Sequence, residues 1–192
     1  ISLGLVGSEM CIRDSLMVHQ SSALAAAAGQ TTNALPSRAY AVKVLDKVHI
    51  LKEKKQKYVR VEKEALSLLL HCPGVVTLYH TFQDRESLYF VLELAPNGEL
   101  LQHVQALGSL DITSATFYAA QLADALDGIH RAGVIHRDIK PENVLLDEHM
   151  RIRVTDFGSA RIVPRGGDEQ AEERTGSFVG TCLLYTSPSP RD

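Results

Sequence analysis

Two hydrophobic periods alternate along this chain, a period of two that marks strands and a three-and-four spacing that marks helices. From Ala39 to Leu45, Tyr40, Val42 and Val44 alternate with Ala41, Lys43 and Leu45, which predicts a strand with a cation on one face. Two further runs, Val75 to Phe82 and Leu88 to Leu94, flank the polar turn Gln83 to Ser87 and predict an antiparallel hairpin. Between first strand and hairpin, Val59, Glu62, Leu66 and Leu69 share one face of a helix expected from about Tyr58 to Leu70. Past the hairpin, Asp111 can cap a long helix that carries Phe117, Leu122, Leu126 and Ile129 to about Arg131, with Gly133 ending it. A small antiparallel sheet with one helix, followed by a helical part, is an α+β arrangement in two lobes. Ile1 to Ala34 shows no sustained period and contains an Ala-rich stretch, Ser21 to Gln30, so residues 16–38 are expected to be irregular.

Composition narrows the class without deciding it. The 192 residues allow one domain or two small ones, and 45% hydrophobic with 22% charged residues is ordinary for a globular chain. Twenty Lys and Arg against 23 Asp and Glu give a net charge of −3, so no nucleic-acid partner is expected. No run approaches the roughly 18 apolar residues of a spanning helix, and Ile1 to Ser15 lacks a basic start and an apolar block, which points to the cytoplasm. Cys11, Cys72 and Cys182 form no C-x-x-C pair, so neither a disulfide frame nor a zinc site is expected. Glu62 is the odd residue in its stripe: either it reaches solvent at a boundary or, if buried, it needs a cation. Glu64 points to a different face and reads as solvated.

The chemistry lies after the long helix. His136-Arg137-Asp138-Ile139-Lys140-Pro141-Glu142-Asn143 is followed, thirteen residues beyond the asparagine, by Asp156-Phe157-Gly158. This resembles the H-R-D-x-x-x-x-N loop and D-F-G of protein kinases, with Ala41-Val42-Lys43 standing where their strand lysine belongs. The resemblance implies a two-lobed kinase fold, ATP and Mg²⁺ as cofactors, and a role for each matched residue. Asp156 and Asn143 would hold metal ions, Asp138 would orient the substrate hydroxyl and accept its proton, and Lys140 would reach the transferred phosphate, as in serine/threonine kinases. Lys43 would hold the phosphates and Glu62 would be its ion-pair partner. His136 would be a packing residue beside Phe157 rather than a base, and the other histidines show no metal-ligand spacing.

Leu92 to Leu100 looks like a kinase hinge spanning 92–98. By resemblance Leu92 is the gatekeeper, the backbone at Glu93 and Ala95 bonds adenine, Glu99 approaches the ribose, and Ala41 and Glu142 complete the ATP-binding set. Tyr40 to Leu45, Thr81-Phe82-Gln83-Asp84, Asn97 to Leu101 and Gly176-Ser177-Phe178-Val179-Gly180-Thr181 are similar to the phosphoinositide-dependent branch of the AGC serine/threonine kinases. That likeness implies phosphorylation of Ser177 with Arg137 as its partner, and a substrate-side threonine at Thr181. It also implies client AGC kinases as protein substrates, docking near Lys47, Ile50, Leu51, Val59, Lys63, Thr81, Gln83, Leu88 and Phe90.

The pattern is incomplete at both ends. No G-x-G-x-x-G precedes Lys43 and no A-P-E follows Thr181. Residues 1–15 and 182–192 resemble translated sequencing-adapter sequence, which leaves a partial kinase domain at 39–181, with a small lobe to about 94 and part of a large lobe after 99. The chain as written is therefore expected to be inactive itself, and recruitment to a membrane is expected only through regions absent here. Two alternatives of other classes are a catalytically dead docking module, opposed by the intact Lys43, Asp138, Asn143 and Asp156, and a small-molecule phosphotransferase, opposed by Lys140 and Thr181.

Overall fold

The computed structural model describes Val18–His19 and residues 39–163. Cys11, Ser177, Thr181, Cys182 and the terminal segments 1–15 and 182–192 lie outside the described residues.

The expected α+β arrangement is observed. Four strands form an antiparallel sheet in the order β1-β2-β4-β3, from Val18–His19, Ala39–Asp46, Ser87–Glu93 and Leu78–Gln83. Within the stretch expected to be irregular, β1 is a two-residue strand that pairs with β2 through Val18↔Tyr40 and His19↔Ala39. The turn between β3 and β4 is fixed by one side chain: Asp84 Oδ1 accepts the amides of Glu86 at 2.8 Å and Ser87 at 2.7 Å. Its Oδ2 accepts the Tyr89 hydroxyl at 2.7 Å. The register pairs Lys43 with Phe90, and it places Thr81 opposite Phe90 on the other side of β4.

Two strand-and-helix boundaries differ from the sequence pattern. The apolar run was expected to be a strand from Val75, but β3 begins at Leu78. Val75 instead bridges Val154 in parallel, the Val76 amide donates to the Val154 carbonyl at 3.0 Å, and the Val154 amide donates to Gly74 O at 2.7 Å. Val75, Val76 and Leu78 are all buried, so periodicity could not tell one strand from two short partners. Gly74 permits the approach: its φ is +74°, and a Cβ there would stand 2.8 Å from the Ala125 Cβ. A short helix α1, Lys47–Lys52, follows β2 directly, where no helix was expected. Asp46 caps it by accepting the His49 amide at 2.7 Å.

Helix α2, Gln56–Leu68, starts two residues earlier than the pattern suggested, because Lys55 at its N-cap makes no side-chain cap that a sequence reading could detect. It buries Val59, Glu62, Ala65 and Leu66. A helix α3, Leu100–Leu107, was not expected; it is only eight residues long, and none of its residues is fully buried. Helix α4, Ile112–Arg131, lies where Asp111 and Gly133 place it. Asp111 accepts the amides of Thr113 at 2.9 Å and Ser114 at 3.0 Å, and those bonds, with the Ser114 hydroxyl foremost, hold its carboxyl below the ordinary range. Of its apolar residues, Ala125 and Ile129 are buried, while Phe117 is 49% exposed.

After α4 come two small ladders. Strand β5, Val134–Ile135, pairs with β8, Arg161–Ile162, and β6, Val144–Leu146, pairs with β7, Ile152–Val154. One continuous core runs from Leu45, Leu66 and Phe90 through Val75 and Val76 to Ile129, Leu146, Val154 and Phe157.

Candidate active site

The two ladders hold the loops between them. Residues 136–143 join β5 to β6, and residues 155–160 join β7 to β8, so both conserve fixed ends and lie side by side. The Thr155 amide donates to Asn143 O at 3.0 Å, and His136 Nε2 meets Thr155 O at 2.9 Å. His136 Nδ1 accepts the Asp138 amide at 3.2 Å, and its ring packs edge-on against Phe157 with centroids 4.7 Å apart. Both ring nitrogens are thus used by the neutral form with Nε2 donating. Burial holds the His136 pKa below the ordinary histidine value.

This has a pH consequence. With the folded pKa below the unfolded value of about 6.5, the unfolded chain binds the extra proton, so stability falls as pH drops through that value. Thermal unfolding between pH 8 and pH 5 should show that decline, and His136→Gln should flatten it. An unchanged slope would show that other groups carry it.

Asp138 is held from several directions. Asn143 Nδ2 donates to its carbonyl at 2.9 Å and to its Oδ2 at 3.2 Å, and Lys140 Nζ lies 3.0 Å from the same oxygen. The Asn143 side-chain oxygen is left facing away from Asp138 as a hard neutral donor. Asp156 has a left-handed backbone, φ 61° and ψ 70°, which aspartate tolerates better than most residues. The next residue, Phe157, is fully buried where this turn packs against α2.

Across the cleft, Lys43 on β2 donates to Glu62 Oε1 on α2 at 2.6 Å. The buried carboxylate of the apolar stripe has its cation, and Glu64 is solvent-exposed. Burial draws the Lys43 ammonium toward neutrality, but Glu62 and Asp156 outweigh it and set its pKa above that of an ordinary lysine. Burial raises the Glu62 carboxyl; Lys43 opposes this and Asp156 adds to it. Two carboxylates therefore face one ammonium, and Glu62 Oε2 is buried with no hydrogen-bond partner among the described residues.

The remaining sequence-derived positions fall around this cleft. Leu92 is buried at the end of β4, and Ala41, opposite it on β2, is half-buried. The Ala95 amide has no backbone partner among the described residues, while its carbonyl accepts from Gly98 at 3.2 Å. Glu99 begins α3 and is buried, and desolvation, with Glu142 nearby, raises its pKa. Arg137, expected to meet a modified Ser177, donates to the carbonyls of Ser159 at 2.7 Å and Ala160 at 3.3 Å. Of the expected docking residues, Ile50, Val59 and Phe90 are in the core, whereas Leu51 is 61% exposed. Lys47 donates to the Asp84 carbonyl. The pattern reading missed Arg153, Asp147 and Thr77; the one signal for Arg153 was a cation between the apolar Ile152 and Val154.

A small antiparallel lobe whose lysine is paired to a helix glutamate, set over a loop of Asp138, Lys140 and Asn143 and a turn bearing Asp156, has the arrangement of the protein-kinase class. Residues 26–189 match the protein kinase domain, and the chain belongs to the protein kinase family. It is 51% identical over 160 residues to the serine/threonine-protein kinase ksg1 of Schizosaccharomyces pombe, covering 79% of this chain and 27% of that protein. It is 50% identical over 152 residues to human 3-phosphoinositide-dependent protein kinase 1, covering 79% and 26%. To the serine/threonine-protein kinase PKH2 of Candida albicans it is 52% identical over 161 residues, covering 82% and 17%. The chain thus spans about a quarter or less of the length of these relatives. Among the described residues no helix is long and apolar enough to cross a membrane.

Proposed function

We propose that this chain carries the phosphate-transfer site of a kinase that uses Mg²⁺ and ATP to phosphorylate serine or threonine in proteins, with activation loops of other AGC kinases as its substrates. The observation that carries the reading is the Lys43–Glu62 pair at 2.6 Å with Asp156 acting on both charges. Excess carboxylate there, and hard oxygens on Asp156 and Asn143, suit a divalent ion of the Mg²⁺ type, which takes one or two protein oxygens and completes its shell with phosphate and water. When bound, that ion would neutralise charge on the phosphates.

This chain's own residues do the rest. Lys43, fixed by Glu62, holds the α and β phosphates, while the backbone at Glu93 and Ala95 takes the adenine edge below Leu92 and Ala41. Glu99 and Glu142 lie toward the ribose. Asp138, immobilised by Asn143, orients the substrate hydroxyl and receives its proton, and Lys140 places a point charge at the transferred group. Phosphorylated Ser177 would offer oxygens to Arg137, Thr181 would flank the substrate hydroxyl, and the face around Leu51, Lys63, Gln83 and Leu88 would dock client kinases. With no G-x-G-x-x-G ahead of Lys43, the 192 residues alone should bind ATP weakly and turn over slowly.

The test uses the full-length protein and peptides that copy a kinase activation loop with serine, threonine or tyrosine at the acceptor position. Phosphate should pass to serine and threonine, and Ser177→Ala should lower the rate by roughly tenfold through loss of a charge-assisted contact. Transfer to a small alcohol but to no peptide, or to tyrosine alone, would overturn the reading.

A further inference from the structure

The kinase motifs give Arg153 no task, yet its guanidinium is where the linker between the lobes meets the larger lobe. Its neighbours Ile152 and Val154 point into the core, so strand alternation turns Arg153 the other way. Its Nε donates to Glu93 Oε1 at 2.9 Å, one terminal nitrogen lies 3.1 Å from Asp147 Oδ2, and the other donates to Ile152 O at 3.3 Å. The remaining Glu93 oxygen accepts the Thr77 amide at 3.1 Å and its hydroxyl at 2.9 Å. Asp147, in turn, gives its carbonyl to Asn97 Nδ2 at 2.7 Å. The result is a closed circuit, Glu93 to Arg153 to Asp147 to Asn97, that spans the linker from one end to the other.

We infer that Arg153 is a positioning residue for the nucleotide base: it holds the linker 93–97 in the shape that receives adenine, so that binding does not have to order it. The inference rests on the reading above that this linker takes the adenine edge. The side chains of Arg153, Glu93 and Asp147 are 25%, 20% and 9% exposed, so their attraction is better shielded from solvent than that of a surface pair. A guanidinium is suited to the task because its planar fork holds two carboxylates in fixed directions at once, where a lysine offers a point charge on a flexible stem. Pre-ordering a binding segment raises affinity by lowering the conformational entropy lost on binding. The circuit joins the linker to β7 and the residue after β6 rather than to Asp138, Asn143 or Asp156, so the chemical step is not its target.

The experiment measures adenosine and Mg-ATP affinity by calorimetry, and the kinetics, of the full-length protein and of Arg153→Gln. Adenosine reaches the linker without phosphates, so it separates this effect from any at Lys43. Both dissociation constants and the KM for ATP should rise by about fivefold, with kcat within twofold. Arg153→Lys should recover part of the loss, and Glu93→Gln combined with Arg153→Gln should cost no more than Arg153→Gln alone. Unchanged adenosine affinity, a loss confined to kcat, or additive effects in the double variant would overturn the inference. If Arg153→Gln does not fold, unchanged adenosine affinity in Arg153→Lys overturns it equally. An unsubstituted protein that binds neither adenosine nor Mg-ATP would sink the reading beneath it as well.

Discussion

Asp138→Asn in the full-length protein is expected to reduce peptide phosphorylation by roughly a hundred- to ten-thousandfold while leaving Mg-ATP affinity within a few-fold. Asparagine has the shape of aspartate but no charge and no basic oxygen. The Asp138 carboxylate faces Lys140 at 3.0 Å and the Asn143 amide at 3.2 Å, so the substitution also replaces an acceptor shared by two donors with a group that donates. Because the main-chain bond from Asn143 Nδ2 to the Asp138 carbonyl survives, the loop should keep its course. A loss of rate with unaltered melting temperature separates a chemical role from a structural one. Full activity would remove Asp138 from the reaction.

Lys43→Met is expected to lower kcat/KM by about a hundred- to a thousandfold, the size of effect seen when a donor to developing charge is removed. It should also leave a signature in stability. Methionine matches the length of the lysine stem but leaves Glu62 buried among apolar side chains without its cation, so the carboxyl, already raised by burial, is driven higher. A carboxyl whose folded pKa lies above its unfolded value favours the folded state at low pH, and that contribution is lost as pH rises through the folded pKa. The variant should therefore melt progressively lower from pH 5 to pH 8, and Glu62→Gln added to it should restore the melting temperature without restoring activity. A flat pH profile would mean that the carboxylate finds another cation.

The site was more legible than the fold that carries it, for a physical reason. Asp138, Asn143 and Asp156 stand at the spacings of a motif that resembles that of protein kinases, whereas the ends of strands and helices depend on what packs over them. Glu62 stood out because a carboxylate in an apolar stripe either reaches solvent or needs a cation; the kinase resemblance named Lys43, nineteen residues away, and the pair forms. Helix α4 was bounded by Asp111 and Gly133, residues whose local chemistry marks an end. Helices α1 and α3 are only six and eight residues long and escaped notice. Val75 and Val76 looked like the start of β3, and only the tertiary pairing with Val154 assigns them to the other lobe. Arg153 could not have been given its partners from sequence, since Glu93 is sixty residues away.

That displaced pairing bears on how the cleft can open. Residues 74–76 are bonded to β7, and Thr77 is bonded to Glu93 at the start of the linker, so these two segments form a short spine between the lobes, while the turn at Phe157 packs against α2 elsewhere along the seam. Rotation about a spine moves groups beside it least and groups far across the cleft most. The seat proposed for a nucleotide base lies beside it, whereas Lys43 and Asp156 belong to opposite covers of the book. On that proposal, opening the cleft would disturb the base least and the phosphates, between Lys43 and Asp156, most.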